Sequence, residues 1–381
     1  AVCRGQYHGW LKENIGGHII RRNNIHHCEQ GGIIGRMGGV FSVIEDNHIH
    51  HINNMMEQGG AEIAGIKMHA AIDVTMRRNH IHHCTMGIWC DWEAQGTRLT
   101  QNLLHDNQKP AYAKSLNGGM MSQDIFVEVG HGPTLIDNNV MLSDASLRFA
   151  TEGVALVHNL ICGALTCVGD GTGWRYTPYH MPHRTEVMGF MTILHGDDRI
   201  YNNIFVQKWP SEDVIIPHDS DEGFDSENRK AGTWMFDEYP TYDEWISQFD
   251  FTKPVDMKKL EPVHFGHLPV WIEGNVYLNG AEACKNEVNG LVISDKEAKV
   301  DLVEKEGSYY LDTNVYDLVG EFKDRMIHSD ILGKAFEPEQ RFENPDGTAI
   351  QFDKDYFGGH RGMDVIPGPF AQAEDAKKVL F

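Results

Sequence analysis

Two carboxylates stand in matched surroundings. Asp91 closes the run Gly87-Ile88-Trp89-Cys90-Asp91, and Glu128 closes the run Asp124-Ile125-Phe126-Val127-Glu128. Along an extended chain, successive side chains point to opposite faces. Ile88, Cys90 and Trp92 then share one face and Trp89 and Asp91 the other, while Ile125, Val127 and Val129 oppose Phe126 and Glu128. Each acid is expected to face outward beside an aromatic ring. Two carboxyls about 5–5.5 Å apart can carry out double displacement at an anomeric carbon, whereas a gap of roughly 6.5–9.5 Å admits a water and inverts the centre. Which of these applies depends on the element that positions them.

That element is a repeat. The segments Arg21-Arg22-Asn23-Asn24-Ile25-His26-His27-Cys28, Glu45-Asp46-Asn47-His48-Ile49-His50-His51-Ile52 and Arg77-Arg78-Asn79-His80-Ile81-His82-His83-Cys84 are near copies. Looser copies follow at Asn102-Leu103-Leu104, Asn138-Asn139-Val140, Asn159-Leu160-Ile161 and Asn202-Asn203-Ile204. Anchored on Asn23, Asn47, Asn79, Asn102, Asn138, Asn159 and Asn202, the intervals are 24, 32, 23, 36, 21 and 43 residues. A period in the low twenties, built from short β-branched runs and Gly/Asn/Asp turns, predicts an all-β right-handed parallel β-helix with loop excursions. The Leu-rich pattern of other repeats with that period is missing.

Rungs of such a coil stack about 4.7–4.9 Å apart, so equivalent positions become neighbours. The asparagines should form a ladder of amide–amide bonds. Asp91 lies 11 residues before Asn102 and Glu128 lies 10 before Asn138, which places them at nearly equivalent positions on consecutive rungs. The resulting separation of about 5 Å predicts retention. Like charges that close raise one pKa, and we assign the rise to Glu128 as general acid/base. In Ile63-Ala64-Gly65-Ile66-Lys67-Met68-His69, the aligned outward residues are Lys67 and His69, with Arg36 one rung further. A cation beside Asp91 would keep it the carboxylate that a nucleophile must be. Trp89 and Phe126 would offer an apolar platform to a sugar ring.

Taken singly, an Asp at a strand end is commonly a turn former and an outward Glu is commonly solvated. Their coincidence on adjacent rungs, beside aromatics and a cation, weighs against both readings. The Ile-His-His triplets have metal-ligand chemistry, but each copy recurs with the repeat, which points instead to a stacked histidine ladder on a solvent-facing strand. No metal and no other cofactor is expected. Cys28 and Cys84 are equivalent, with Ile52 between them, and read as a core slot. Gly169 to Gly173 lacks the strand and helix that flank a phosphate loop.

Asp and Glu number 55 against 33 Lys and Arg, a net charge of -22 that disfavours nucleic acid and anionic membranes as partners. No apolar run is long enough to suggest a membrane span. The seven cysteines (Cys3, Cys28, Cys84, Cys90, Cys162, Cys167, Cys284) are odd in number and scattered, which suits a reducing compartment and a cytoplasmic location. We divide the chain into residues 1–207, a β-helix with the catalytic rungs; 208–269, an acidic excursion with a short helix at Tyr242 to Phe249; and 270–381, final rungs and a tail packing on the coil. Loops are expected at Asn53 to Glu62, Gln108 to Gln123 and Gly169 to Met188. Further anchors are expected at Asn275 and Asn314. No capping helix precedes Gly16, so association with a second copy or with an N-terminal region is expected at that end.

The stretch Gly87-Ile88-Trp89-Cys90-Asp91-Trp92-Glu93-Ala94-Gln95-Gly96-Thr97-Arg98, followed by Asp124-Ile125-Phe126-Val127-Glu128-Val129-Gly130-His131-Gly132-Pro133, resembles the catalytic region of the glycoside hydrolase family 120 β-xylosidases. The similarity extends through residues 62–69, 175–183 and 196–203. It implies Asp91 as nucleophile, Glu128 as acid/base and a xylo-oligosaccharide substrate, with Glu62 on sugar hydroxyls beyond the cleaved bond. Lys67, His69, Trp89, Gln95, Arg98 and His131 complete the candidate substrate-binding set. The connection from Gln108 to Gln123 is longer than the family pattern, and the family's N-terminal region with its inserted β-sandwich has no counterpart here. Two rival readings are a β-helix polysaccharide lyase, with Lys67 or Arg98 as base, and a non-catalytic carbohydrate-binding β-helix.

Overall fold

The computed structural model describes residues 8–58, 62–109, 122–167, 176–209, 230–250 and 266–381, with 252–254, 256 and 258 between the last two. The expected loops at 53–62, 108–123 and 169–188, and much of 208–269, therefore fall partly outside the described residues.

Short apolar runs broken by single turn residues give strands of two to six residues, and each turn of the coil adds one strand to each of three parallel sheets. The first sheet has eight strands, from Ile19–Arg21 to Val270–Glu273; the second has nine, from Asn24–Cys28 to Leu291–Ile293; the third has six, from Gly31–Gly35 to Ala164–Cys167. This is the parallel β-helix that the repeat predicts. Alternation turns one side chain in two to the interior, where register stacks like on like. Ile33, Ile66, Ile88, Ile125, Leu147 and Leu165 form one such buried column. Each side chain of that kind contributes roughly 1.5–3 kcal/mol by leaving water. Cys28, Ile52 and Cys84 fill the expected core slot.

The turn between the first and second sheets is held by an asparagine ladder. Asn23, Asn47, Asn79, Asn102, Asn139, Asn159, Asn203 and Asn275 donate side chain to side chain in sequence, at 2.9 to 3.1 Å. Two anchors are corrected here: the ladder passes through Asn139 and Asn203, not Asn138 and Asn202. The residue before each ladder asparagine is left-handed: Arg22, Asp46, Arg78, Gln101, Asn138, His158, Asn202 and Gly274 all have φ between 52° and 72°. Asn tolerates that conformation, so an Asn-Asn pair offers two candidates one residue apart. Asn314 is also corrected, since its side chain bonds Lys299 N and Glu297 O beside a short helix, Val315–Val319.

The second sheet carries the histidines. His26, His50, His82 and His105 stack in one file and His27, His51 and His83 in another, with ring centroids 4.7 to 5.1 Å apart. The ladder is only partly open to solvent: His80 and His82 are buried, His80 against both Tyr309 and Phe381 and His82 against Tyr309. The tail runs along the first sheet, where Arg361 donates to Asn138 Oδ1 and Gln101 donates to the Asp355 carbonyl. The helix in the excursion spans Tyr242–Ser247, with a capping box from Thr241 and Glu244.

Candidate active site

The outer face of the third sheet carries two adjacent columns fixed by register. Lys67, Trp89, Phe126 and Arg148 follow one another in the first, and His69, Asp91, Glu128 and Ala150 in the second. Asp91 and Glu128 are thus direct partners on neighbouring parallel strands, which places their Cα atoms about one inter-strand spacing, roughly 4.8 Å, apart. Gly87 opens the strand that bears Asp91. A Cβ there would lie 2.4 Å from the Asp124 carbonyl oxygen, so only glycine lets these rungs close. Immediately beyond His69, Asp91 and Glu128, the residues Ala70, Trp92 and Val129 turn left-handed (φ 53°, 40° and 50°) and end the strands. Trp92 and Val129 therefore leave the strand and do not continue its inner face.

Asp91 is 4% exposed. Its Oδ2 lies 2.6 Å from Lys67 Nζ and 3.2 Å from His69 Nε2, while its buried Oδ1 has no hydrogen-bond partner among the described residues. Lys67 is fully buried and reaches Glu62 Oε2 at 2.9 Å as well. Glu62 also meets His69 Nε2, at 3.4 Å. Burial alone would raise the Glu62 carboxyl, but its bond to Lys67 and the nearby charge hold it below the usual range. Glu62, Lys67, His69 and Asp91 thus form one polar cluster, with Glu62 the most open member. Glu128, 5% exposed, accepts from Trp89 Nε1 at 3.1 Å.

Four expectations are corrected. Trp89 and Phe126 form no open platform. They are 5% and 0% exposed, stacked at 5.4 Å, with Lys67 Nζ 3.2 Å from the outer face of Trp89 and the Arg148 guanidinium 5.8 Å from Phe126. Rung spacing brings the cations onto the ring faces, so the aromatics brace the acids in a cation–ring–ring–cation stack. Gln95 is committed to the structure: its amide donates to the His180 carbonyl and to Gln340 Oε1, and its oxygen accepts from His180 N. Arg98 lies on the first sheet, forked onto Asp137 and bonded to Asn344. His131 is buried between Glu152 Oε1, at 2.6 Å, and the Thr177 carbonyl. Burial alone would depress that imidazole, but Glu152 raises it above its ordinary value.

Sequence reasoning missed Arg148 and the hairpin Thr177–His180/Val187–Met191, which docks on this corner through His180 on Glu93 Oε2 (3.0 Å) and Tyr179 against His131. Glu62, His69 and Asp91 have the residue types and spacing of a metal site, yet Lys67 Nζ already sits between the two carboxylates. The ammonium supplies the positive charge that a cation would bring, so the donor set does not suit a metal. Lys67 locked in this way, and Arg98 on another sheet, are not placed as bases for elimination.

Fold and site together define a parallel β-helix with a paired-carboxylate centre. A family model described as "Right handed beta helix region" matches residues 4–146. No curated protein matches the chain. A solved structure titled "The complex structure of XylC with xylose" superposes with a TM-score of 0.82 at 36% identity, over 96% of this chain and 52% of that one. The chain spans about half the length of that protein. The chain is thus similar in fold and sequence to a xylose-bound protein over nearly all of its own length.

Proposed function

We propose that this chain carries the catalytic centre of a retaining glycoside hydrolase, which removes xylose from the non-reducing end of xylo-oligosaccharides by double displacement. The single observation behind this reading is the division of labour within Asp91: Oδ2 is tied to Lys67 and His69, and Oδ1 has no hydrogen-bond partner among the described residues, on the strand position in register with Glu128. A carboxylate oriented in this way has one oxygen available to bond to carbon. Asp91 Oδ1 attacks the anomeric carbon while Glu128 gives its proton to the leaving oxygen. Glu128 then takes a proton from water, which displaces Asp91 from the glycosyl ester with a second inversion. The resemblance of the motifs to the family and the similarity to a xylose-bound protein support the sugar. We assign sugar hydroxyls to Glu62, which is partly exposed at the edge of the cluster.

Steady-state hydrolysis of nitrophenyl xyloside tests the reading. Asp91→Gly should lose on the order of 10^4-fold or more in kcat, and azide should restore turnover with a product of inverted configuration at the anomeric carbon. Glu128→Gln should lose roughly 10^2–10^4-fold, and less on substrates whose leaving group needs no proton. Undiminished activity in Asp91→Gly would remove the nucleophile from the scheme.

A further inference from the structure

The first sheet bears a cleft of about 630 Å³ whose lining contains none of the Glu62, Lys67, His69, Asp91 and Glu128 cluster. Its floor comes from outward positions on successive rungs, Val43, Thr75 and Arg98 in one column and Arg77 and Thr100 in the next. Inward neighbours Ile44, Met76 and Leu99 fill the core and fix this face rigidly. The tail segment around Asp346 and Lys354 walls one side, and Lys12 and Phe41 also contribute. A volume in this range accommodates a small ligand or a short oligomer.

The charge lining the cleft runs against that of the whole chain. Lys12, Arg77, Arg98 and Lys354 face it, opposed by Asp73 and Asp346, in a protein of net charge -22. Both acids have other hydrogen-bond partners, Asp73 with His183 Nδ1 at 3.0 Å and Asp346 with the Thr348 amide and hydroxyl, although the Asp73 carboxylate also feels the Lys12 charge. Both arginines are neutralised, Arg98 by Asp137 and Arg77 by Glu45. The two lysines are different. Lys12 lies 4.7 Å from the Phe41 ring centre and Lys354 lies against the His360 imidazole, and neither has a carboxylate within 4.0 Å among the described residues. Both are exposed. Between them the floor presents the half-buried Thr75 hydroxyl and the side-chain oxygen of half-buried Gln101, whose amide nitrogen is held by the Asp355 carbonyl. An anion carried on a polyhydroxylated body fits such a lining: ammonium groups at the rim and neutral hydrogen-bonding groups within.

We propose that this cleft binds a carboxylate-bearing oligosaccharide, with the carboxylates on Lys12 and Lys354 and the hydroxyls on the floor around Thr75 and Gln101. The site is separate from the catalytic cluster and does not rest on the hydrolase reading. The test is calorimetric titration of the full chain with tri-galacturonate and, in parallel, with neutral xylotriose, using Asp91→Gly protein so that turnover cannot intervene. Tri-galacturonate should bind, and binding should weaken about tenfold or more in the Lys12→Gln/Lys354→Gln double variant, and weaken again as salt rises from ~0.02 to ~0.2 M. Thr75→Trp, which fills the floor, should abolish it, while nitrophenyl xyloside turnover in otherwise wild-type protein stays unchanged in both variants. Absence of binding, binding indifferent to the lysine pair, or xylotriose binding equally well in a Thr75-dependent manner would each overturn the proposal. Loss of xyloside turnover in the Asp91 variant without any change in this titration would concern the catalytic reading alone.

Discussion

The second and third sheets are built by the same coil, rung upon rung, yet one stacks identical side chains and the other stacks unlike ones. On the second sheet imidazole follows imidazole in two files, with a third stacked pair at His48 and His80. On the third, Lys67, Trp89, Phe126 and Arg148 succeed one another, beside His69, Asp91, Glu128 and Ala150. Stacking identical groups works only if they stay neutral, and burial with mutual repulsion holds His50 down to about 4 and His82 to about 2. Stacking unlike groups allows charge to be buried where opposites meet on adjacent rungs, as Lys67 does with Asp91. Repetition thus gives a load of polar surface that is chemically inert, and its interruption concentrates charge where a reaction can use it.

The comparison predicts a ranking of substitutions. Lys67→Met should cost about 3–5 kcal/mol, because it strands Asp91 as a buried charge without its partner. Chemical denaturation should read the loss, and xyloside turnover should fall with it. A variant as stable as the parent would mean that the third sheet buries no real charge, and the contrast would break. Asn139→Ala, which removes two hydrogen bonds that the side-chain amide donates and two that its oxygen accepts, should cost about 1–3 kcal/mol. The same change at Asn23, on the exposed first rung, should cost less; equal costs would show that depth in the coil does not matter.

The fold was legible because the repeat was written in residue types: the anchors Asn23, Asn47, Asn79, Asn102, Asn159 and Asn275, the Ile-His-His files and the Cys28–Ile52–Cys84 slot land where their spacing puts them, while Asn138 and Asn202 miss by one residue and Asn314 lies off the ladder. The register of Asp91 and Glu128 was legible too, and sharpens once the anchor moves to Asn139. Both acids then lie 11 residues before their ladder asparagine. Arg148 was hidden by a shorter turn. Its strand-mate Ala150, the register partner of Glu128, lies only 9 residues before Asn159, so counting back from the anchor misplaces the whole strand. Gln95 and His131 were misread for another reason. Proximity in sequence to the acids says nothing of the hairpin that arrives from residues 177–191 and takes up their hydrogen bonds. The burial of Trp89 and Phe126 likewise depends on cations from neighbouring rungs, a packing effect that alternation alone does not reveal.

The histidine files also carry a pH signature that separates them from the carboxylates. A histidine whose pKa is lower in the folded chain binds its proton on unfolding, so acidification destabilises the fold as pH drops below the ordinary imidazole value of 6.5. For His50 the loss runs from 6.5 down to about 4, and for His82 it continues to about 2. Asp124 and Asp197 act with the opposite sign. Burial pushes both up to about 7, so over the same range falling pH protonates them in the folded state and favours it. The whole-protein curve mixes the two, and only a difference isolates the ladder. His50 is the suitable position, since the rings it stacks between, His26 and His82, and the residues it bonds, His51 and Asn24, all lie on the second sheet. Denaturation midpoints of the parent and His50→Gln at several pH values between about 7 and 4 should show a shallower pH dependence in the variant, by up to one proton taken up on unfolding. Parallel curves would mean that His50 titrates alike in both states, and that neutrality is not what permits identical rings to stack.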